Sequence, residues 1–168
     1  MIKHHDQRVG LFVDVQNLYY SAKNLYQGRV NFEELMSLAV EDRKLIRAIA
    51  YVISADNSDE NKFFDVLGYM GYEVRQKDLQ SYWGGKVKGD WDVGLTIDAV
   101  KMADKLDVVV LITGDGDYVP LVEYLQFKGT LVEVMAFGRT ASSKLIEQCN
   151  DFTDLDRHQE NLLFIKPE

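Results

Sequence analysis

An unbroken aliphatic run that stops in glycines and carboxylates, Asp107 to Val119 reading DVVVLITGDGDYV, constrains the fold more than any other stretch. Val108 to Ile112 is short, β-branched and without alternation, which is the pattern of a strand buried on both faces, and hence of a central parallel strand. In an open α/β sheet the ligand crevice lies outside the carboxyl ends of the strands, so Thr113, Asp115 and Asp117 are delivered to it. Gly114 and Gly116 permit the tight turn. Aspartates in such turns also act as caps and Asx turns, and one alone carries no functional weight.

The rest of the chain repeats the strand-then-helix theme. Val9 to Val15, VGLFVDV, reads as a strand leading into a helix that runs through Tyr26, which sets Asp14 and Asn17 at the same sheet edge as Asp115. Further helices are predicted over Asn31 to Val40, Glu60 to Met70, Trp91 to Lys105, Val119 to Phe127 and Ser142 to Cys149. Further strands are predicted over Leu45 to Ile53, Tyr72 to Leu79, Thr130 to Ala136 and Phe152 to Leu155, with the Tyr72 strand nearer the sheet edge. In the Trp91 helix, Asp90 is the expected N-cap and Val93, Ile97, Val100 and Met102 or Ala103 the expected buried stripe. Gln80 to Asp90 has two adjacent glycines and no periodicity, and reads as a loop. This order predicts a three-layer α/β/α sandwich around a central, mainly parallel sheet, Rossmann-like, because right-handed crossovers place helices on both faces. One domain spans 1–168, its core about 9–155, with 156–168 as an unassigned C-terminal tail.

Composition removes several function classes. The lone Cys149 excludes an internal disulfide or a cysteine metal site. No apolar run approaches the roughly 20 residues of a membrane span, and the start, MIKHHDQRVG, lacks the hydrophobic region of a secretory signal. The expectation is a soluble cytoplasmic protein with no membrane partner. A net charge of −8 argues against generic, charge-driven binding of nucleic acid, though not against a local basic patch. No G-x-x-x-x-G-K-[ST], G-x-S-x-G or H-E-x-x-H motif occurs, and the three histidines, His4, His5 and His158, sit at the chain ends. A haloacid dehalogenase-like phosphatase needs a second Asp two positions after the first, where this chain has Gln16.

What remains is a set of carboxylates. Asp14 and Asp115 end parallel strands, Asp117 lies in the turn after the second, and Asp90 or Asp92 opens a helix, so all can reach one crevice. Two carboxylates about 5 Å apart repel by roughly 3 kcal/mol at an effective dielectric of ~20. Several together need a cation, and hard oxygen ligands select Mg²⁺ or Mn²⁺. Such an ion activates water and stabilises charge on a phosphoryl oxygen, which suits phosphodiester hydrolysis. The same residues read equally well as scattered caps and turns.

FVDVQNL at 12–18, KGDWDVGLTIDAV at 88–100 and ITGDGDYVPLV at 112–122 resemble, in order, the three signature blocks of the NYN domain, in its LabA-like branch of the PIN-like nuclease superfamily. The resemblance runs over roughly Val9 to Leu155. It implies a metal-dependent ribonuclease with Asp14, Asn17, Asp92, Asp115 and Asp117 as catalytic residues. The four aspartates would hold the metal, and Asn17 would position water or the substrate phosphate. Asp98 matches a further recurrent acidic position, but six residues after Asp92 is about 240° around a helix, so it ranks behind the others with Asp90.

Thr113, Tyr82, Trp83, Lys86 and Lys88 are the candidate substrate contacts, the aromatics stacking on unpaired bases and the lysines meeting phosphates. Loop aromatics pack as readily on a domain's own surface. Gly71 to Asp90 holds four cations, Arg75, Lys77, Lys86 and Lys88, against Glu73, Asp78 and Asp90, so any basic patch there is made by folding, with Arg139 and Lys144 as further contributors. The leading expectation is a divalent-metal-dependent endoribonuclease with RNA as partner. The alternative is a regulatory module of the same fold, with little turnover, that binds RNA or a protein partner; it is motivated by the acidic balance and by the regulatory associations of the LabA-like branch. A homo-oligomer is compatible with either.

Overall fold

The computed structural model describes residues 2–55, 57–81, 83–84 and 87–165, with backbone alone at 80, 81, 87 and 88. Two strands form its centre: β1, Arg8–Asp14, and β7, Val108–Ile112, every residue of the latter fully buried. With β3 (Lys44–Ser54), β4 (Glu73–Asp78), β8 (Leu131–Ala136) and β9 (Asp151–Asp154) they make a six-stranded sheet in the order β4-β3-β1-β7-β8-β9. Every pairing in it is parallel. The strand order reverses direction at β1, which lies between β3 and β7.

Alternation across the pleat separates two cores. Leu11, Val13, Val110 and Ile112 face α1 (Val15–Tyr26), α2 (Phe32–Val40) and α3 (Ser58–Tyr69). Phe12, Val109 and Leu111 face α4 (Asp92–Met102), α5 (Val119–Phe127) and α6 (Ser143–Gln148). The result is the expected three-layer sandwich. Because both faces of β1 and β7 are covered, truncating Leu111 to alanine is expected to cost about 2–5 kcal/mol.

Local signals set the helix starts. Asn31, Asn57 and Ser142 each accept a hydrogen bond from the backbone N–H three residues on, which gives α2, α3 and α6 side-chain caps. At the amino end of the sheet the Arg43 guanidinium is buried and grips Glu133 of β8 with two bonds, of 2.7 and 3.0 Å.

Three features differ from the sequence expectation. The buried stripe of α4 is Leu95, Asp98 and Ala99, continued by Ala103, whereas Val93 and Ile97 are 75% and 48% exposed. The helix is rotated because Asp92 turns toward the strand ends and Asp98 is bound by partners on β3 and β4, and these polar anchors override a weak apolar period. The 80–90 segment contains a two-residue antiparallel pair, β5 (Gln80–Ser81) with β6 (Val87–Lys88). The tail is also structured: α7 (Gln159–Leu162) buries Leu162, and β10 (Leu163–Ile165) pairs with β2 (Gly28–Val30).

Candidate metal centre

The pairing register brings the two halves of the centre together. Val13 of β1 sits opposite Ile112 of β7, so the next residues of the two strands, Asp14 and Thr113, emerge side by side at the carboxyl edge. The Thr113 hydroxyl donates to Asp14 Oδ2 at 3.1 Å and accepts the Asp115 N–H at 3.2 Å. Asp14 also caps α1, its Oδ1 accepting the Asn17 N–H at 3.2 Å. Asn17 Oδ1 in turn accepts the Gly114 N–H at 2.9 Å, which latches the turn after β7 onto α1.

Opposite this pair, α4 begins with Asp92, whose N–H is accepted by Asp90 Oδ1 at 3.2 Å. Carboxylate oxygens of Asp14, Asp92 and Asp115 all lie within 4.8 Å of one another. Among the described residues none of the three carboxylates pairs with a Lys, Arg or His. Burial pushes the Asp14 carboxyl up to about 6, against the pull of Asn17 and Thr113, and the charges of Asp92 and Asp115 add to the rise. Burial, followed by the Asp115 and Asp90 charges, raises Asp92 as well. Ionising Asp14 and Asp92 here therefore carries a cost that a bound cation offsets. An all-oxygen donor set of half-buried carboxylates matches a hard divalent ion.

The remaining candidates fall into distinct places. Asp117 is exposed and stands outside the triad, near enough for its charge to act on Asp92, while its N–H is held by Asp115 Oδ1 at 2.9 Å. Asp90 is a turn residue beside Asp92; the N-cap position itself is Trp91. Asp98 is committed elsewhere: it is 7% exposed, accepts from the Tyr51 hydroxyl at 2.8 Å, and is ion-paired with Arg75. The same framework holds the start of α4, since Trp91 packs on Tyr51, donates its indole N–H to the Val52 carbonyl at 2.9 Å and lies under Arg75 and Lys77.

Of the candidate substrate contacts, Trp83 is fully exposed. Tyr82 and Lys86 lie outside the described residues, as does the side chain of Lys88. Arg139 is bound to Asp156 and rests on the Tyr26 ring. Lys144 is exposed.

Sequence reasoning missed Tyr118. Its ring is buried, and its hydroxyl has no well-formed hydrogen-bond partner, yet lies close enough to Asp92 to oppose the rise of that carboxyl. Burial first, then the charges of Asp14 and Asp92, hold the phenol neutral. Its position directly after the second turn aspartate was the available signal.

A parallel α/β/α sandwich with carboxylates converging from three segments at its carboxyl edge defines the class of Rossmann-like acidic-site domains. Within that class the chain belongs to the NYN domain family, whose model matches residues 8–156. It is 25% identical over 167 aligned residues to the low amplitude and bright protein LabA of Synechococcus elongatus, covering 89% of this chain and 84% of LabA. It is also similar to a crystal structure of a protein of unknown function from Vibrio parahaemolyticus, at 32% identity and a TM-score of 0.87, covering 98% of this chain and 100% of that one. No helix of the described residues is long and apolar enough to cross a membrane.

Proposed function

We propose that the chain is a divalent-metal-dependent endoribonuclease that hydrolyses RNA phosphodiester bonds at the carboxylate triad. The observation that carries this reading is the convergence of Asp14, Asp92 and Asp115 within 4.8 Å, in a family of nuclease domains. These three would hold Mg²⁺ or Mn²⁺. When bound, such an ion lowers the pKa of water and offsets charge on a phosphoryl oxygen.

The protein's own groups fix where this happens. Thr113 and the Asn17 N–H orient Asp14, one hydrogen bond to each carboxylate oxygen. The Asn17–Gly114 latch fixes the spacing between the Asp14 and Asp115 turns. Tyr118 walls the site with a neutral hydroxyl, and the exposed Asp117 stands at the rim, where a carboxylate can take a proton from entering water.

The test is incubation of purified protein with single-stranded and structured RNAs in Mg²⁺, in Mn²⁺ and in chelator. Cleavage that stops in chelator and in Asp14→Asn is expected. Cleavage indifferent to both removes the mechanism. If no RNA is cut and the melting temperature ignores both ions, the second reading stands, a binding module of the same fold; the net charge of −8 is what favours it.

A further inference from the structure

Beside the carboxylates, between α1 and the segment after β8, runs a crevice of about 420 Å³ lined by Gln16, Asn17, Tyr20, Ser21, Asn24 and Thr140, and reaching Asp115. It lies where the strand order reverses, the place at which open parallel sheets bind ligands. Gln16, Tyr20 and Asn24 recur every four residues and so share one face of α1. A bond of 3.3 Å between the Thr140 and Ser21 hydroxyls ties the two walls together.

The chemistry of this lining is unusual for a nucleic-acid domain. Apart from Asp115 its lining consists of amides, hydroxyls and one aromatic ring, with no Lys or Arg among the described residues. Arg139, adjacent to Thr140 in the chain, has its charge committed to Asp156 and its plane to Tyr26. A crevice without cations offers phosphates no charge-driven attraction, and Asp115 at its end repels them. Amides and hydroxyls instead match the donor and acceptor edges of a base, and an aromatic ring offers a face to stack on. Tyr20 is 52% exposed, is braced edge-to-face by Tyr19 at 5.4 Å, and also borders a second hollow of about 510 Å³ toward α3.

We propose that this crevice is a nucleobase subsite. It takes one unpaired base next to the phosphate at the triad, with Tyr20 stacking on the base and Gln16 and Asn24 reading its edge. The placement of the phosphate rests on the nuclease reading; binding of the base does not require cleavage.

The two ideas are tested separately. Affinity for short single-stranded RNA homopolymers is measured by fluorescence anisotropy in chelator, on the full chain, with matching oligonucleotides that carry abasic positions. Tyr20→Ala is expected to weaken binding by about 5- to 100-fold, the worth of one stacked base, and by the same factor at low and high salt. Tyr20→Phe keeps the affinity, and Asn24→Ala changes the ranking of the homopolymers. If Tyr20→Ala binds like wild type, or loses as much affinity for abasic RNA as for intact RNA, the subsite is overturned. Metal-dependent cleavage without a Tyr20 effect removes the subsite alone; a Tyr20 effect without cleavage removes the catalysis alone.

Discussion

Asn17 and Gly114, 97 residues apart, are joined by one hydrogen bond of 2.9 Å, from the glycine N–H to the side-chain oxygen. Gly114 is buried, so this N–H has little access to water once its acceptor is removed. Asn17→Ala is therefore expected to cost about 1–3 kcal/mol in urea unfolding, while Asn17→Asp, which keeps an acceptor, costs less. Mn²⁺ affinity should fall in the alanine variant because the turn that carries Asp115 is released. An alanine variant as stable as wild type would remove the latch from the account.

The Asp14 carboxyl titrates near 6 in the folded metal-free protein against 3.8 for a free aspartate. The folded state binds this proton more tightly than the unfolded chain does, so the stability contributed is fully present below pH 3.8 and lost as pH rises through about 6. The shift corresponds to about 2–3 kcal/mol. In chelator, wild type should lose stability relative to Asp14→Asn across that window. With Mg²⁺ or Mn²⁺ the order reverses at neutral pH, because the ion binds the ionised carboxylate. A difference between the two proteins that is flat with pH counts against the buried, repelled carboxyl.

Asp98 is expected to act on stability and not on ion binding. Asp98→Ala leaves Arg75 and the Tyr51 hydroxyl without their acceptor; since Arg75 is half exposed, the loss should be about 2–3 kcal/mol, below that of a fully buried pair. Calorimetric titration with Mn²⁺ on Asp98→Asn should match wild type. A large loss of affinity there would make Asp98 a ligand.

Trp83 projects wholly into solvent, so Trp83→Ala should change stability by less than about 0.5 kcal/mol. If the hairpin contacts substrate, RNA affinity drops in the same variant. A fall in melting temperature with RNA affinity intact gives the opposite assignment, a packed indole.

The parts legible in the sequence were those fixed by local chemistry. β1 and β7 announce themselves as short aliphatic runs because both of their faces are buried, and Asp14 and Asp115 follow from the strand ends. Asp92 came from its motif, but the face α4 buries did not, because Tyr51 and Arg75 reach Asp98 from other strands and set the helix rotation. β2 and β10 are three residues each and, among the described residues, pair only with one another, so neither carries a periodic signal. Tyr118 had only its place after Asp117 to mark it and otherwise reads as core, while Tyr20 carried no distinguishing pattern and reads as an exposed helix residue.

The side-by-side exit of Asp14 and Thr113 also bears on how the chain folds. β1 and β7 pair across nearly a hundred intervening residues, and closing so long a loop for a parallel pairing is slow. Until β7 docks, Asp14 has neither Thr113 nor Asp115 beside it, and the ion site is incomplete. Uptake of Mn²⁺ during refolding should therefore lag behind helix formation and coincide with the last cooperative step, so that the ion reports completion of the sheet and cannot serve as its nucleus.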